Sequence, residues 1–374
     1  MQISTAQLDE LELPLVEPFE TSFGVERRRR LLLLTLTGGS GERGYAECVA
    51  ARDPLYSSEA VATARWMMEQ YLLPSLFAAS EIDPIAFRDR VRGFKGHPMA
   101  KAAVEMALWD LWAKEQHRPL AAALGGRRRR VEVGVSVGIH SSVESLVRRV
   151  EGYLHEGYRR VKLKVRPGWD AEPVGAVRRS FPDVRLWVDA NQSYPPKAAK
   201  AIFRWASRFG VEQVEQPFPE RDLTAHARLA RGSPFLVCLD ESIVDLSSLD
   251  DAVERRALSS LNVKPGRVGG LGVSRELQAR AAREGIAAWV GGMLETGVGR
   301  AHAVALASLP HFTLPADLSA SRRYYRTEIV DRPFELGPGS TLRVPTGRGI
   351  GVELEEAAVA RARVRTRRYR QPSG

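Results

Sequence analysis

The sequence predicts an α/β fold: a parallel barrel of eight strands and seven intervening helices, preceded by a smaller α+β domain. Three observations predict it. From about residue 131, short apolar runs alternate with amphipathic helical stretches, which is the pattern of successive βα units. No glycine-rich phosphate fingerprint follows the first of those runs, so a doubly wound open sheet is the poorer alternative. Before about residue 125 the texture differs, with a strand meander giving way to long helices.

In chain order, the meander is read at "LLLLTLTG" and "GERGYAECV". "SEAVATARWMMEQYLLPSLF" and "PMAKAAVEMALWDLWAKEQH" then repeat apolar residues at helical spacing. Barrel strands are expected at "VEVGVSVGI", "RRVKLKV", "RLWVDA", "VEQVEQP", "FLVCLDE", "SLNVKP", "IAAWVGG" and "FTLPAD". Between them lie helical stretches such as "SSVESLVRRVEGYLHEG", "PPKAAKAIFRWASRFG" and "GLGVSRELQARAAREG". After residue 325 the alternation lapses, and "GPGSTLRVPTGRGIGVELEE" reads as loop and short strand. The expected division is an N-terminal domain at 1–125, the barrel at 126–324, and a segment at 325–374 that packs back on the N-terminal domain.

Composition narrows the class. At 374 residues and 44% hydrophobic, the chain can bury a large core across two domains. No signal-like stretch opens it and no apolar run is long enough to span a bilayer, so no membrane partner is expected. Cys48 and Cys238 sit far apart, which suggests a reducing, cytoplasmic setting rather than a disulfide framework. The formal charge of +10 gathers at Arg27–Arg30, Arg127–Arg130 and "RARVRTRRYR", clusters expected at connections between elements. They carry no aromatic interleaving and no nucleic-acid-binding signature, so they read as solvated faces and no nucleic-acid partner is expected. A basic surface mildly favours an anionic small substrate.

Chemistry in such barrels sits where the strands end. In "RRVKLKV", Lys162 and Lys164 share one face and Val161, Leu163 and Val165 the other. The following strand ends give Asp189 in "WVDAN", Glu215 in "EQPF", Asp240 in "CLDES" and Lys264 in "NVKPG". The carboxylates are separated by 26 residues (189 to 215) and 25 residues (215 to 240), roughly one βα unit each. They are therefore expected on three successive strands, converging on one point. Any one of them alone would pass for a helix N-cap. Three together, buried and unneutralised, would repel one another strongly. Hard oxygen ligands with no His or Cys beside them suit Mg²⁺, with Mn²⁺ or another divalent ion able to substitute.

The lysines then flank a substrate from the second and sixth strands, or serve merely as counter-ions to the acidic trio. A lysine acts as a base only when neutral, so its usual value of about 10.4 must fall by roughly three units. A neighbouring ammonium and a divalent cation push that way. The chemistry permitted is removal of a proton alpha to a carboxylate, with the cation stabilising the enediolate by several kcal/mol.

These strand ends, "KLK", "VDAN", "EQPF", "LDES", "NVKPGRVGG" and "GGMLETGVGRAHAVALASLPHFTLPADLSAS", resemble the enolase superfamily. The closer likeness is to its muconate-lactonizing subgroup, in the o-succinylbenzoate synthase and N-acylamino acid racemase branch. It runs along almost the whole chain and includes "FETSFG". This superfamily is itself the standard example of a lysine base working with Mg²⁺. The resemblance implies a modified (β/α)7β barrel under an N-terminal capping domain that the C-terminal segment completes.

It further implies Asp189, Glu215 and Asp240 as Mg²⁺ ligands and Lys164 as general base and acid. Lys162 would be the electrostatic partner of Lys164, and Lys264 the amine on the opposite face. Ser136, Asn191, Gly291, Gly292 and Met293 fall where the family touches substrate. Phe19, Phe23 and Tyr56 lie on segments resembling the loops that close over the barrel; ordinary core aromatics are the other reading. Arg267, three residues after Lys264, resembles a pattern in racemising members, where its charge would tune Lys264. Its other reading is a surface arginine at a helix start.

The same residues separate the relatives. "WVGGMLE" lacks the seventh-strand His of mandelate racemase-like members, and enolases proper lack the lysine pair. Dipeptide epimerases resemble "DxD" on the eighth strand, whereas "PADLSAS" offers Asp317 followed by Ser319. The function implied is Mg-dependent dehydration of a hydroxy-cyclohexadiene carboxylate to 2-succinylbenzoate, for menaquinone synthesis. Racemisation of N-acyl amino acids is expected as a second activity. A dedicated racemase, a muconate cycloisomerase-like enzyme and a non-catalytic basic binding protein are the alternatives. The expected partner is a small-molecule carboxylate, and the family's habit implies a homo-oligomer.

Overall fold

The N-terminal apolar runs form an antiparallel meander of β1 (Ile3–Glu20), β2 (Val25–Gly38) and β3 (Arg43–Cys48). This is a computed structural model, and it describes residues 1–370. The "LLLL" run of β2 is fully buried because β2 lies between β1 and β3 and the helix Pro98–Glu115 packs along it. "SEAVATARWMMEQYLLPSLF" is helical, but a π-helical turn at Met68–Leu72 separates Val61–Met67 from Leu73–Phe77. Pro74 accounts for it: with no N–H and a ring that crowds the carbonyl four residues back, it cannot continue an ordinary ladder.

The second unit begins with β4 (Arg130–Glu132) and β5 (Val135–Val137). It continues through β6 (Arg160–Lys164), β7 (Arg185–Asp189), β8 (Gln213–Glu215), β9 (Leu236–Leu239), β10 (Ser260–Val263) and β11 (Ala287–Val290). Strands β5 to β11 form one seven-stranded parallel sheet in chain order, each followed by a helix on its outer side. The helix Val143–Glu156 shows the local logic. Ser142 caps it by accepting from the Ser145 N–H, and Gly157, at φ 107°, closes it in the left-handed conformation.

Two strands depart from expectation. "VEVGVSVGI" is not one strand: β4 pairs antiparallel with β12 (Thr341–Arg343), and only β5 joins the barrel. "FTLPAD" forms no regular strand, only single bridges from Phe312 to Ala288 and from Ala316 to Val133. Pro315 sits between those bridges with no N–H for a ladder.

The chain's last strand, β13 (Arg363–Arg370), pairs antiparallel with β1. The arginine clusters therefore need correcting: Arg27–Arg30 lie inside β2 and the tail cluster builds β13, so neither is a connection. Antiparallel pairing sets them beside acids, as in Arg28–Glu12 at 2.7 Å, Arg30–Glu10 at 2.5 Å and Arg363–Asp9 at 2.8 Å.

Outward residues of the barrel strands, such as Val161, Leu163, Val188 and Val263, join the main core under the helices. The interior holds a separate small cluster of Trp187, Cys238 and Trp289, with Leu314 packed on it. The two units meet through buried carboxylates set on helix N-termini. Glu105 accepts from the N–H groups of Leu271 and Gly272, at 2.9 and 2.8 Å, where the helix Leu271–Arg283 begins. Glu47 accepts from Thr296 N and Oγ1, at 3.0 and 2.6 Å, at the start of Gly297–Ala307. Among the described residues no helix is long and apolar enough to cross a membrane.

Candidate active site

Parallel register places the chemistry. Lys164 lies beside Asp189, and Asp189 beside Glu215, so their side chains point to the same, inner face. The residues two earlier, Lys162, Trp187 and Gln213, form the layer below. Asp240 ends β9, and Asn262 and Lys264 carry the same face along β10. In a barrel, polar groups that would be costly in an apolar core can thus face one another.

Each predicted carboxylate is gripped by a predicted lysine. Lys164 Nζ lies 2.6 Å from Asp189 Oδ2 and donates to Asn191 Oδ1 at 2.7 Å. Lys162 Nζ lies 2.7 Å from Glu215 Oε2 and 3.4 Å from Asp189 Oδ2. Lys264 Nζ lies 2.6 Å from Asp240 Oδ2 and donates to Tyr56 Oη at 3.1 Å. A cavity of about 400 Å³ opens above them, reached by Lys162, Lys164 and Lys264. Ser136, Asn191, Gly292 and Met293 also line it.

The N-terminal unit supplies the cavity's roof. Phe19, Phe23 and Tyr56 all reach it. The Phe23 and Tyr56 rings lie 5.9 Å apart, and the Phe19 ring sits 6.0 Å from Lys164 Nζ. Tyr56 Oη donates to Asp240 Oδ2 at 3.1 Å, which ties the roof to the barrel mouth. After the strand ends the backbone turns sharply: Asn191, Gln192 and Gln216 have φ of 43°, 66° and 37°. Such positive values in non-glycine residues mark a backbone held by its surroundings. At Gln216 the holding is visible, since its Oε1 accepts from Asp240 N and Ser242 N.

Among the described residues no three carboxylate, imidazole or thiol side chains are grouped to cage a metal ion, and each of the three acids lies against a lysine. Burial lowers the Lys162 ammonium's pKa, but Asp317, Glu215 and Asp189 outweigh it and raise the net value. Burial likewise opposes, and Asp240 most of all raises, the pKa of Lys264. Two expectations are corrected: Gly291 and Arg267 do not line the cavity. A side chain at Gly291 would strike Asn262, its Cβ lying 2.1 Å from Oδ1. Arg267 is neither at the surface nor against substrate space: it is 4% exposed, 3.2 Å from Asp240 Oδ1, and donates to Ile243 O.

Carboxyl titration follows from this crowding. Burial, then Asp189, push Glu215 up to about 7. Burial also raises Asp240, but Lys264 and Arg267 outweigh it and bring the carboxyl down to about 2.

Sequence reasoning missed four residues. Asp317 lines the cavity 2.9 Å from Lys162 Nζ, and the strand-end rule applied to the eighth segment would have found it. Glu241 accepts from Asn191 Nδ2 at 3.0 Å and is pushed up to about 8 by burial and then Asp240; "LDES" hid it behind its neighbour. Asn262, which donates to Glu215 Oε1 at 2.6 Å, sits two residues before Lys264 on the same face. Arg160 sits two residues before Lys162, below the mouth, and had no visible signal.

Comparison with known proteins agrees along nearly the whole chain. Residues 4–125 match the mandelate racemase / muconate lactonizing enzyme N-terminal domain, and residues 145–358 the enolase C-terminal domain-like family. An N-succinylamino acid racemase of Thermus thermophilus is 47% identical, over 96% of this chain and 97% of its own. An o-succinylbenzoate synthase of Geobacillus kaustophilus is 40% identical, over 95% of this chain and 94% of its own. The crystal structure of an enolase-superfamily member from Listeria innocua superposes with a TM-score of 0.94 at 36% identity, covering 99% of this chain and 100% of that one.

Proposed function

This chain belongs to the enolase superfamily, and from that premise we propose that it is an o-succinylbenzoate synthase, a carbon–oxygen lyase, that also racemises N-succinyl amino acids. One observation carries the reading: Lys164 and Lys264 enter a single cavity from the second and sixth barrel strands, on opposite walls. Amines facing each other across a carboxylate substrate can remove and return a proton at its alpha carbon from either face.

In the synthase step, neutral Lys164 takes the alpha proton of 2-succinyl-6-hydroxy-2,4-cyclohexadiene-1-carboxylate. The bond from ring carbon to hydroxyl then breaks, and the same lysine returns its proton so that water leaves from that face. The ring becomes aromatic, and this drives the reaction. In racemisation Lys164 removes the proton and the Lys264 ammonium supplies one to the opposite face, or the reverse.

Members of the superfamily use Mg²⁺, and the residues present suit it. The donor set is all oxygen, buried Asp240 Oδ1 makes no hydrogen bond and has only the Arg267 charge beside it, and Glu215 is raised by burial and a neighbouring acid. Asp189, Glu215 and Asp240 would hold the ion. When bound, it stabilises the negative charge that develops on the substrate's carboxylate and relieves the lysines of their acidic partners.

The reading calls for a small carboxylate as partner, not nucleic acid. Arg28 and Arg30 of β2 and Arg363 of β13 are already engaged by Glu12, Glu10 and Asp9. It also takes the protein to be a cytoplasmic homo-oligomer, which light scattering of the purified protein tests for assembly. A dedicated racemase is the second reading, favoured by the higher identity to a relative named for that activity. Purified enzyme with Mg²⁺ and the cyclohexadiene carboxylate should produce aromatic ultraviolet absorbance. Exchange of N-succinyl amino acids without any aromatic product would leave the racemase reading standing alone.

A further inference from the structure

The eighth barrel segment has no regular ladder: scattered backbone bonds, such as Thr313 N–H to Ala288 O, Ala316 N–H to Glu132 O and Asp317 N–H to Val290 O, tie it to its neighbours, and a buried side chain holds it besides. Residues 312–317 make two isolated bridges, and Pro315 can donate nothing. Arg160, fully buried at the start of β6, reaches this segment from below. Its Nη2 donates to the carbonyls of Ala316 at 2.8 Å and Pro315 at 3.5 Å, and its Nη1 donates to Asp317 Oδ1 at 3.0 Å. A guanidinium fork engaging two carbonyls and a carboxylate of one segment fixes both its position and its tilt.

The path of Arg160 is built into its neighbours. The guanidinium lies 4.5 Å from the centre of the Trp187 ring. On the other side, a Cβ at Gly134 would fall 2.2 Å from Arg160 Nε. Gly134 has no positive φ, so its missing side chain serves this close approach and not an unusual turn. The same glycine marks where "VEVGVSVGI" divides into β4 and β5.

Asp317 passes the placement on. Its Oδ2 accepts from Ser136 Oγ at 2.8 Å and lies 2.9 Å from Lys162 Nζ. The other acids near Lys162, Glu215 and Asp189, belong to the cation set proposed above, which leaves Asp317 as the partner that Lys162 keeps. We propose that Arg160 is a positioning residue which, by clamping the eighth segment, presents Asp317 and through it sets Lys162 under the bound carboxylate substrate. This rests on the proposed function for its catalytic consequence, but the placement itself does not.

The test compares Arg160→Met, Asp317→Asn and the double variant, with Mg²⁺ saturating. Each single change should lower kcat about 10- to 100-fold with a smaller effect on KM, the usual range for groups behind a reacting residue. The double variant should be no worse than the poorer single, because both changes remove one relay. Arg160→Lys should recover part of the loss, and Gly134→Ala, which alters no charged group, should reproduce it. Losses that multiply in the double variant would overturn the relay.

A second readout does not depend on turnover. Amidination by methyl acetimidate, followed by mass spectrometry, should label Lys162 several-fold faster in Arg160→Met than in the wild type, with exposed Lys197 as internal reference. Unchanged labelling overturns the positioning role, whereas a wild type that turns over neither substrate overturns only the proposed function. Should Arg160→Met fail to fold, the same comparison is read from Arg160→Lys and Gly134→Ala.

Discussion

Two regions of this molecule set buried carboxylates against different kinds of partner. At the seam between the units, Glu47 and Glu105 are met by backbone N–H groups at helix starts, and burial pushes both up to about 7. At the barrel mouth, Asp240 and Asp317 are met by Lys264, Lys162 and Arg160, which outweigh burial and hold both below the usual carboxylate range. Backbone dipoles are fixed partners, suited to joining two units for good. Ammonium groups on flexible stems are exchangeable partners, able to release an acid to a cation and turn to a substrate. The seam is architecture, and the mouth is chemistry.

Substitution separates the regions most sharply. Lys164→Ala should lower kcat about 10²- to 10⁴-fold, the ordinary worth of a positioned acid–base, with circular dichroism unchanged. Glu105→Ala should leave the kcat of the folded fraction near the wild-type value. A seam substitution that removed chemistry without loss of fold would break the distinction.

Chelation comes next. Removing divalent ions should lower activity by about 10³-fold, several kcal/mol of charge stabilisation, and adding Mg²⁺ should restore it. Isothermal titration of Asp189→Asn, Glu215→Gln and Asp240→Asn should show weakened Mg²⁺ binding in each. Unaltered binding in all three would move the cation elsewhere.

Glu105→Ala should in turn cost about 1–3 kcal/mol of stability, because the Leu271 and Gly272 N–H groups lose their acceptor inside the seam. The urea midpoint reports this directly. The smallest effect expected is in pH dependence. A carboxyl whose folded value is raised binds its proton more tightly when folded. Its contribution is therefore full below the unfolded value near 4.5 and is lost as pH rises through about 7. Glu105→Gln should flatten the fall in melting temperature across that window; an unchanged slope would mean that Glu105 is not responsible.

Much of this was legible in the sequence, for reasons that particular residues show. Barrel strands announce themselves because a parallel strand is buried on both faces, as "KLK" between Val161 and Val165 illustrates. The lysines and the acidic trio stood out by their spacing, two residues apart on one strand face or about one βα unit from strand end to strand end, while their roles came from the resemblance. What stayed hidden depends on contacts far apart in the chain. Arg160 acts on residues 315–317, and no local pattern links a strand-start arginine to a proline-broken segment more than 150 residues later. Arg267 could be read either as a charge tuning Lys264 or as a surface arginine, because a four-residue helix shows no buried face in its sequence; it folds under Asp240. The arginine clusters read as connections because strand propensity is poor in such runs, and cross-strand acids outweighed it.

The most direct test of the two-walled mouth is deuterium exchange at the alpha carbon of each enantiomer of an N-succinyl amino acid, followed by proton NMR in D₂O. Lys264→Ala should lose exchange with one enantiomer and retain it with the other, and Lys164→Ala should show the opposite preference. Equal loss of both enantiomers in either variant would contradict chemistry shared between opposing lysines.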